Sequence, residues 1–268
     1  MWKEFEHFLE VLNINLRTRK NYVSTIRLLE KYAGKPADQC TRGDIISFLS
    51  RYSPNSRHRH LYALRKFYAD FLGRPEVLQG IKIAREDREL DFWLSVDDVR
   101  RIISIAPLRE RAIIRLGYDL ALRVGEVVLL DREDIQGDII VVKVLKKRGL
   151  VKVPKPLYPQ TKKAILEYLE TRGDDHPALF VSRKGRRIST DTVEYNFRKI
   201  CEKAGVRLPP DVGFHVLRHS RAAHMREAGV DIDVISRFLS HSNINITFRY
   251  YAHIGRQKLY EFVPPPAV

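Results

Sequence analysis

Residues 215–251 have the sequence HVLRHSRAAHMREAGVDIDVISRFLSHSNINITFRYY, and their pattern organises the second half of the chain. The spacing of the apolar residues predicts helices over 215–228 and 231–240, followed by a short helical stretch in ITFRYYAHI. His215 and Arg218 are three residues apart, so both side chains project from the same face of the first of these helices. The two side chains can therefore share one binding site.

Upstream of this stretch, helical patterns alternate with one β-hairpin. Ser95 is predicted to cap a helix with acidic residues in its first turn, and 110–130 have the pattern of a buried helix followed by a turn. Residues 138–153 alternate apolar and polar side chains around the sequence KKRG, which predicts a β-hairpin with a basic tip. Further helices are predicted over 159–171 and 190–204, whereas the proline-rich tail VPPPAV cannot be helical.

The first part of the chain has the pattern of a small helical domain. A first helix is predicted over 3–12, and a second is expected to start at a Thr18 cap and to stop at Gly34. Thr41 and Asp44 have the spacing of a capping box, which would open a third helix.

A fourth helix, from about Ser56 to Leu72, combines an apolar face with a basic one. The residues predicted to be buried are Leu61, Leu64, Tyr68 and Phe71. The basic residues are Arg57, Arg59, Arg65 and Lys66. We interpret the basic face as a candidate DNA-binding surface, although a charged face that only contacts solvent has the same pattern.

The helical patterns break down between Gly73 and Leu94, where a Pro, a Gly and dense mixed charges indicate a linker. The chain of 268 residues exceeds a typical single-domain length, and its 44% hydrophobic content is enough for two cores. We therefore predict a helical domain over 1–74, a linker over 75–93 and a second domain over 94–268. The expected fold class is mainly α with a small β-sheet or hairpin.

The net charge of +15 is typical of a protein that binds a polyanion, and nucleic acid is the first candidate partner. The charge lies in both halves of the chain, although a basic protein without such a partner has the same balance. Cys40 and Cys201 lack metal-ligand spacing and predict neither a disulfide framework nor a zinc site. Since no apolar run could span a bilayer and the N-terminus does not resemble a signal peptide, we expect a cytoplasmic protein without a membrane partner.

Five short motifs in the second domain occur in a characteristic order. They are ALRVGEVVLL with Arg123 and Glu126, VLKKRGLVKVP with Lys146, HVLRH with His215 and Arg218, LSHSN with His241, and TFRYY with Tyr250. Each motif is weak alone, but together, at these spacings, they resemble the tyrosine recombinase and integrase family, in its Xer-like form. The first domain is similar to that family's helical core-binding, SAM-like domain, and the second to its α+β catalytic domain.

The resemblance implies cleavage of a DNA phosphodiester without a metal or another cofactor. Tyr250 would be the nucleophile, and Arg123 and Arg218 would stabilise the charge on the non-bridging oxygens, because a guanidinium donates two parallel hydrogen bonds to a phosphate. Tyr251 is expected to be a packing residue, since the family's nine-residue interval from His241 ends at Tyr250. Consecutive helical residues point about 100° apart, so only one of the two tyrosines can face the site.

The hairpin lysine has two candidates. Lys146 would be the general acid that protonates the leaving 5′ oxygen, a role that the family gives to a lysine on a β-hairpin. Lys147 remains a rival, because Leu145 and Lys147 stand where the family commonly has glycines. Lys147 and Arg148 are also candidate DNA contacts at the hairpin tip.

The remaining site residues are supporting groups in this resemblance. His215 belongs to the catalytic set, and His241 would donate a hydrogen bond to the scissile phosphate. Glu126 would orient its neighbours, although a helix-terminal salt bridge explains its position equally well. His215 and His219 also have metalloprotease spacing, but Val216 stands where that motif needs Glu, so no metal site is predicted.

The expected function is site-specific recombination, in Xer-like resolution or in integration, by a homo-oligomer that is a tetramer on two sites in double-stranded DNA. The charge-rich composition favours a thermophilic source. An integrase of an archaeal plasmid or virus is a further possibility within the same family. One alternative is DNA relaxation of the type IB topoisomerase kind, which uses the same chemistry but lacks such a helical first domain. The other is a non-catalytic DNA-binding protein, which the occupied catalytic positions argue against.

Overall fold

The chain forms two compact units, Met1–Asp87 and Arg88–Val268. The computed structural model describes residues 1–82, 92–146 and 149–240, with only the backbone at 145 and 146. The architecture is mainly helical with one small antiparallel sheet, which confirms the predicted fold class.

The first unit is a set of short helices around an aromatic core. Its α-helices are α1 (Trp2–Val11), α2 (Leu16–Ala33), α3 (Arg42–Ser50) and α4 (Pro54–Arg65), with a π-helical turn over Lys66–Phe71. Phe5, Ile26, Phe48 and Tyr68 are almost completely buried in this core. Leu61 and Leu64 are buried as predicted, and Phe71 is only partly buried at the edge of the core.

Two of the three predicted helix ends in this unit are confirmed. Thr41 and Asp44 form a reciprocal capping box, and Gly34 ends α2 in the left-handed conformation, with φ of 67°. The cap at Thr18 is wrong, because α2 begins at Leu16 and the Asn15 side chain caps it. The backbone N–H of Thr18 donates to Asn15 Oδ1 over 2.9 Å, so Thr18 already lies in the first turn.

The predicted linker begins with residues that the structure packs into the first core. Pro75–Leu78 form a short 3-10 helix, and Val77 and Leu78 are buried in the same cluster as Phe5. Residues 83–91 lie outside the described part of the chain. At the far end, Phe92 and Trp93 pack against the second unit.

The second unit combines helices with one sheet. Its described helices are α5 (Val96–Ile105), α6 (Leu108–Asp119), α7 (Val124–Val128), α8 (Pro159–Glu170), α9 (Thr190–Lys203), α10 (His215–Glu227) and α11 (Ile232–Phe238). The strands β1 (Ile135–Gln136), β2 (Ile139–Lys146) and β3 (Gly149–Pro156) form an antiparallel sheet in that order. Ser95 caps α5 through a capping box with Asp98, and the predicted hairpin is confirmed as β2 and β3.

Helix α6 is the central element of the second unit. It packs against α8, α9 and α10, and its middle residues Ile113, Ile114 and Leu116 are buried. At Gly117 the contact with α10 is so close that an added Cβ would lie 2.5 Å from the ring of Phe214. Since Phe214 immediately precedes the first residue of α10, this contact fixes where α10 begins.

A small second cluster lies where α10, α11 and the chain after α6 meet. Its buried members are Ala121, Ala222, Ala223, Ile235 and Leu239. Trp93 packs against the same cluster and therefore reports on its integrity. The cluster joins the three segments that carry the residues of the candidate site.

The substitution Gly117→Ala is expected to destabilise the second unit by about 1–3 kcal/mol, because the added methyl group overpacks the contact with Phe214. This loss exceeds the gain of about 1 kcal/mol that alanine gives over glycine in a helix. The measurement is urea unfolding followed by Trp93 fluorescence in a Trp2→Phe background, where Trp93 is the remaining tryptophan.

Gly125→Ala is the matched control, since Gly125 also lies in a helix and an added Cβ there meets no atom within 4 Å. This control is expected to leave the free energy of unfolding unchanged or to raise it. A Gly117→Ala variant as stable as Gly125→Ala would contradict the close packing of α6 on α10.

Candidate active site

Arg218 is the buried centre of the candidate site. It projects from α10, and only 2% of its surface is exposed. Its guanidinium donates to the backbone carbonyl of Ala121 over 2.6 Å and to that of Leu239. Arg218 therefore ties three segments together: its own helix, the chain that follows α6 and the C-terminal end of α11.

Arg123 lies two residues after Ala121, at the N-terminus of α7. Its guanidinium pairs with Glu126 over 2.8 Å, and the same carboxylate accepts the backbone N–H of Arg123 over 2.8 Å. Glu126 is almost buried, whereas 39% of the Arg123 side chain is exposed. The Glu126 carboxylate thus both caps α7 and holds the Arg123 guanidinium. A helix-terminal salt bridge and an orienting role for Glu126 are therefore compatible with the same contacts.

Lys155 is a fourth charged group beside these residues, and the sequence analysis did not select it. It lies near the end of β3, and its ammonium donates to the carbonyl of Phe238 over 2.7 Å and to that of Leu120 over 3.3 Å. The ammonium also lies 4.9 Å from the centre of the Phe238 ring. Burial, followed by the charges of Arg218 and Arg123, lowers the pKa of Lys155 to about 8, against the opposing effect of Glu126.

A signal for Lys155 is present in the sequence. On β3 the side chains of Val153 and Lys155 share one face, and Lys155 pairs across the sheet with the fully buried Ile140. A lysine at an inward-facing position of an alternating strand is costly unless it finds partners. The alternation of β3 is therefore the signal that identifies Lys155.

The electrostatics of the site favour an anion. Arg123, Lys155 and Arg218 supply three positive charges, and Glu126 supplies one negative charge. A phosphodiester carries one negative charge and oxygens that accept hydrogen bonds from guanidinium groups. A bound phosphate would therefore reduce the repulsion among the cations.

His215 and His219 lie one turn apart at the start of α10. Their rings meet edge to face, with centroids 4.5 Å apart. Burial, with smaller effects from His215 and Arg218, lowers the pKa of His219 to about 3. His219 is therefore neutral at any ordinary pH.

Several predicted site residues fall outside what the structure describes. His241, Tyr250, Lys147 and Arg148 lie outside the described residues, as does the side chain of Lys146. The strand β2 ends at Lys146, which pairs with Gly149 on β3. The described chain ends at Ser240, which directly precedes His241.

The four basic residues predicted as a DNA surface on the fourth helix differ in their surroundings. Arg57 donates to the carbonyls of Tyr52 and Ser50, so it stabilises the turn before α4. Lys66 pairs with Asp70 over 2.6 Å. The residues that are exposed are Arg59 and Arg65.

Residues 1–82, 92–146 and 149–240 contain neither a candidate metal site nor a candidate membrane span. No group of three or more His, Cys, Asp or Glu side chains among the described residues could hold a metal ion. In the same part of the chain, no helix combines the length and the apolar character needed to cross a bilayer.

The sequence matches known family models along most of its length. The phage integrase family matches residues 93–258, and the phage integrase N-terminal SAM-like domain matches residues 1–76. Tyrosine recombinase XerA of Thermococcus kodakarensis is 32% identical over 263 residues, which cover 92% of this chain and 89% of that protein. Tyrosine recombinase XerC of Salmonella typhi is 30% identical over 281 residues, with 96% and 92% covered.

Solved structures share the same fold. The crystal structure of XerA recombinase is 27% identical, with a TM-score of 0.55, and the match covers 97% of this chain and 95% of that one. A lambda integrase tetramer bound to a Holliday junction is 20% identical, with a TM-score of 0.76 and coverage of 95% and 77%. The second likeness concerns the fold alone.

The partly buried His219 predicts a pH dependence of stability. Because its pKa of about 3 in the folded chain lies below its ordinary value of about 6.5, the unfolded chain binds the proton more readily. The stability of the second unit is therefore complete above about pH 6.5 and falls as the pH drops toward 3, by up to about 1.4 kcal/mol per pH unit.

His219→Gln is expected to make this slope shallower between about pH 5 and 6.5, as measured by urea unfolding with Trp93 fluorescence. His176→Gln is the control, because His176 lies in the same unit, in the chain between α8 and α9 and not on α10. Equal slopes in wild type and His219→Gln would show that His219 is not the neutral base described above.

Proposed function

Since the chain belongs to the phage integrase family and is a site-specific tyrosine recombinase, we propose that Tyr250 cuts DNA by attacking the scissile phosphodiester. The Tyr250 oxygen forms a bond to phosphorus as the bond to the 5′ oxygen breaks, which leaves a 3′-phosphotyrosine and a free 5′ hydroxyl. A 5′ hydroxyl from the partner DNA then attacks this phosphotyrosine and releases Tyr250. The phosphoester energy stays in the covalent link, so the exchange needs no ATP.

The observation that carries this proposal is the cluster of Arg123, Lys155 and Arg218 on one buried scaffold. Negative charge accumulates on the non-bridging oxygens as phosphorus becomes five-coordinate, and fixed cations stabilise that charge. Arg123 and Arg218 are the groups assigned to these oxygens, with Glu126 orienting Arg123 through two hydrogen bonds. The phenol has an ordinary pKa near 10, so its attack at neutral pH benefits from the same cations.

Proton transfer and phosphate positioning fall to the remaining residues of the set. Lys146, the last residue of β2, is the proposed general acid that protonates the 5′ oxygen, and Lys147 is its rival. His215 and His241 are proposed as further hydrogen-bond donors to the phosphate. His215 has the stronger structural support, because it lies one turn before Arg218 on α10.

The first unit is proposed to bind the same duplex as a core-binding domain over 1–74, with 94–268 as the catalytic domain. The exposed residues Arg59 and Arg65 of the fourth-helix region are its best candidate phosphate contacts, together with Lys147 and Arg148 of the hairpin. Arg57 and Lys66 belong to the predicted set, but both are only partly exposed.

The assembly is proposed to be a tetramer on two DNA sites, by analogy with the lambda integrase tetramer bound to a Holliday junction. The proposed biological task is Xer-like resolution or integration, given the similarity to XerA and XerC recombinases. An enzyme with this task acts where the cell keeps its DNA, so we propose that it works in the cytoplasm.

The nucleophile can be tested once a cognate site is known. The site is found by sequencing host DNA fragments that remain attached to the wild-type protein after denaturation. A nicked suicide duplex carrying this site is then expected to form a denaturation-resistant adduct with the wild type and none with Tyr250→Phe, which lacks the attacking oxygen.

Tyr251→Phe is the matched control and is expected to form the adduct, because its neighbour supplies the nucleophile. An adduct with Tyr250→Phe would transfer the role to another residue. If the wild type formed no adduct on any fragment, the covalent mechanism itself would be wrong.

A further inference from the structure

Two cations join the same two chain ends in the second unit. Lys155 donates to the carbonyls of Leu120 and Phe238, and Arg218 donates to the carbonyls of the next residues, Ala121 and Leu239. Each cation thus bridges the end of α6 and the end of α11. We name this arrangement of two cations and four carbonyls the paired clamp.

The carbonyls of the paired clamp are acceptors that helices leave unsatisfied. Leu120 is the residue that caps the C-terminus of α6, and Leu239 caps that of α11. The last carbonyls of a helix lack partners within the helix and carry the negative end of its dipole. Two cations between two such ends donate hydrogen bonds to the terminal carbonyls and also interact favourably with the negative ends of the helix dipoles.

The backbone at both ends is strained. Ala121 and Ser240 each have φ of 53°, in the left-handed region that residues other than glycine seldom adopt. Such residues persist only where the surroundings hold them. Ala121 is itself a clamp residue and Ser240 directly follows one, so the clamp contributes to holding both turns.

Both ends lead directly to residues of the proposed chemistry. Ala121 is followed within two residues by Arg123, and Leu239 is followed within two residues by His241. A change in the clamp would therefore alter the backbone that leads into Arg123 and the end of the described chain at Ser240. Lys155 itself comes from a third element, β3, which continues from the hairpin that carries Lys146.

We propose that Lys155 is a positioning residue of the cleavage reaction, which together with Arg218 holds the ends of α6 and α11 in the geometry that strand cleavage requires. This role rests on the proposed catalytic assignment of Arg218. Lys155 acts through the backbone of both helix ends and through the Arg218 side chain. Protonation of the leaving 5′ oxygen remains assigned to Lys146, with Lys147 as its rival.

The charges around Lys155 make this role sensitive to pH. Arg218 of α10 and Arg123 beside α7 oppose its positive charge, Glu126 supports it, and the exposed Arg237 of α11 lines the same cleft. With a pKa of about 8, the ammonium of the free protein loses its proton as the pH rises through 8. Above that pH the clamp keeps Arg218 and loses its second cation.

The test compares Lys155→Met and Lys155→Arg with the wild type on the nicked suicide duplex. Lys155→Met is expected to lower the single-turnover cleavage rate at saturating DNA by about 10- to 100-fold, because small displacements of reacting groups have effects of this size. The DNA dissociation constant is expected to change by less than about threefold, since affinity is spread over many phosphate contacts. Lys155→Arg keeps the charge and is expected to restore most of the rate.

Lys152→Met is the matched control, because Lys152 lies on the same strand with its side chain exposed on the other face. It is expected to leave the saturated cleavage rate within about threefold of the wild type. Trp93 fluorescence in the Trp2→Phe background confirms that each variant is folded. If Lys155→Met does not fold, the proposal is tested by comparing the cleavage rates of wild type and Lys155→Arg over a range of pH.

That comparison uses the ratio of the Lys155→Arg cleavage rate to the wild-type rate, both measured at subsaturating DNA. Groups that titrate in both proteins affect both rates equally, so their effect cancels in the ratio. Because arginine keeps its proton, the ratio of Lys155→Arg to wild type is expected to rise by about tenfold between pH 7 and 9.5. A ratio that stays constant over this range would overturn the proposal.

A substrate with sulfur in place of the scissile 5′ oxygen separates positioning from acid catalysis. A thiolate leaves without protonation, so this substrate is expected to restore the rate of Lys146→Ala, whose general acid is missing, and not that of Lys155→Met. If the sulfur substrate restored the cleavage rate of Lys155→Met, Lys155 would be the general acid and not a positioning residue. If folded Lys155→Met cleaved saturating DNA at the wild-type rate, the positioning proposal would also be overturned. If the wild type formed no adduct at all, the covalent mechanism would be refuted instead.

Discussion

A guanidinium that is removed from water must find hydrogen-bond acceptors, and Arg218 finds them at the ends of two helices. This requirement organises the whole second unit around one side chain. The segment after α6 must approach α10 closely enough for Ala121 to accept, and α11 must turn back so that Leu239 accepts as well. Arg123 follows the first of these acceptors along the chain, so its position depends on the same contact.

The site is assembled from charges that repel one another. Arg123, Lys155 and Arg218 are held close by carbonyl oxygens and by Glu126, and the lowered pKa of Lys155 reflects the burial and the repulsion that remain. Cations fixed in place before the substrate binds are the preorganisation that favours a transition state richer in charge than the substrate. The close contact of Gly117 with Phe214 joins α6 to the start of α10, the helix that carries Arg218.

The sequence predicts the features that depend only on residues close together along the chain. Helix periods, the capping box at Thr41 and the alternation of the hairpin are local, and the structure confirms them. The cap at Thr18 was wrong because Asn15, three residues earlier, competes for the same helix start. The alternation of β3 marks Lys155 as an inward-facing lysine, but its acceptors lie 35 and 83 residues away in the sequence, so no local pattern identifies its partners. Arg123 and Arg218 were selected by their motifs, whereas the carbonyls that hold Arg218 depend on tertiary packing.

The central claim is that folding gathers a phenol and several cations around one phosphorus atom. The most direct measurement is a crystal structure of the protein on its cognate site with orthovanadate in place of the scissile phosphate. We expect vanadium bonded to the Tyr250 oxygen, with the guanidinium groups of Arg123 and Arg218 within about 3 Å of its equatorial oxygens. A Tyr250 hydroxyl distant from both guanidinium groups in every protomer of that complex would contradict the claim.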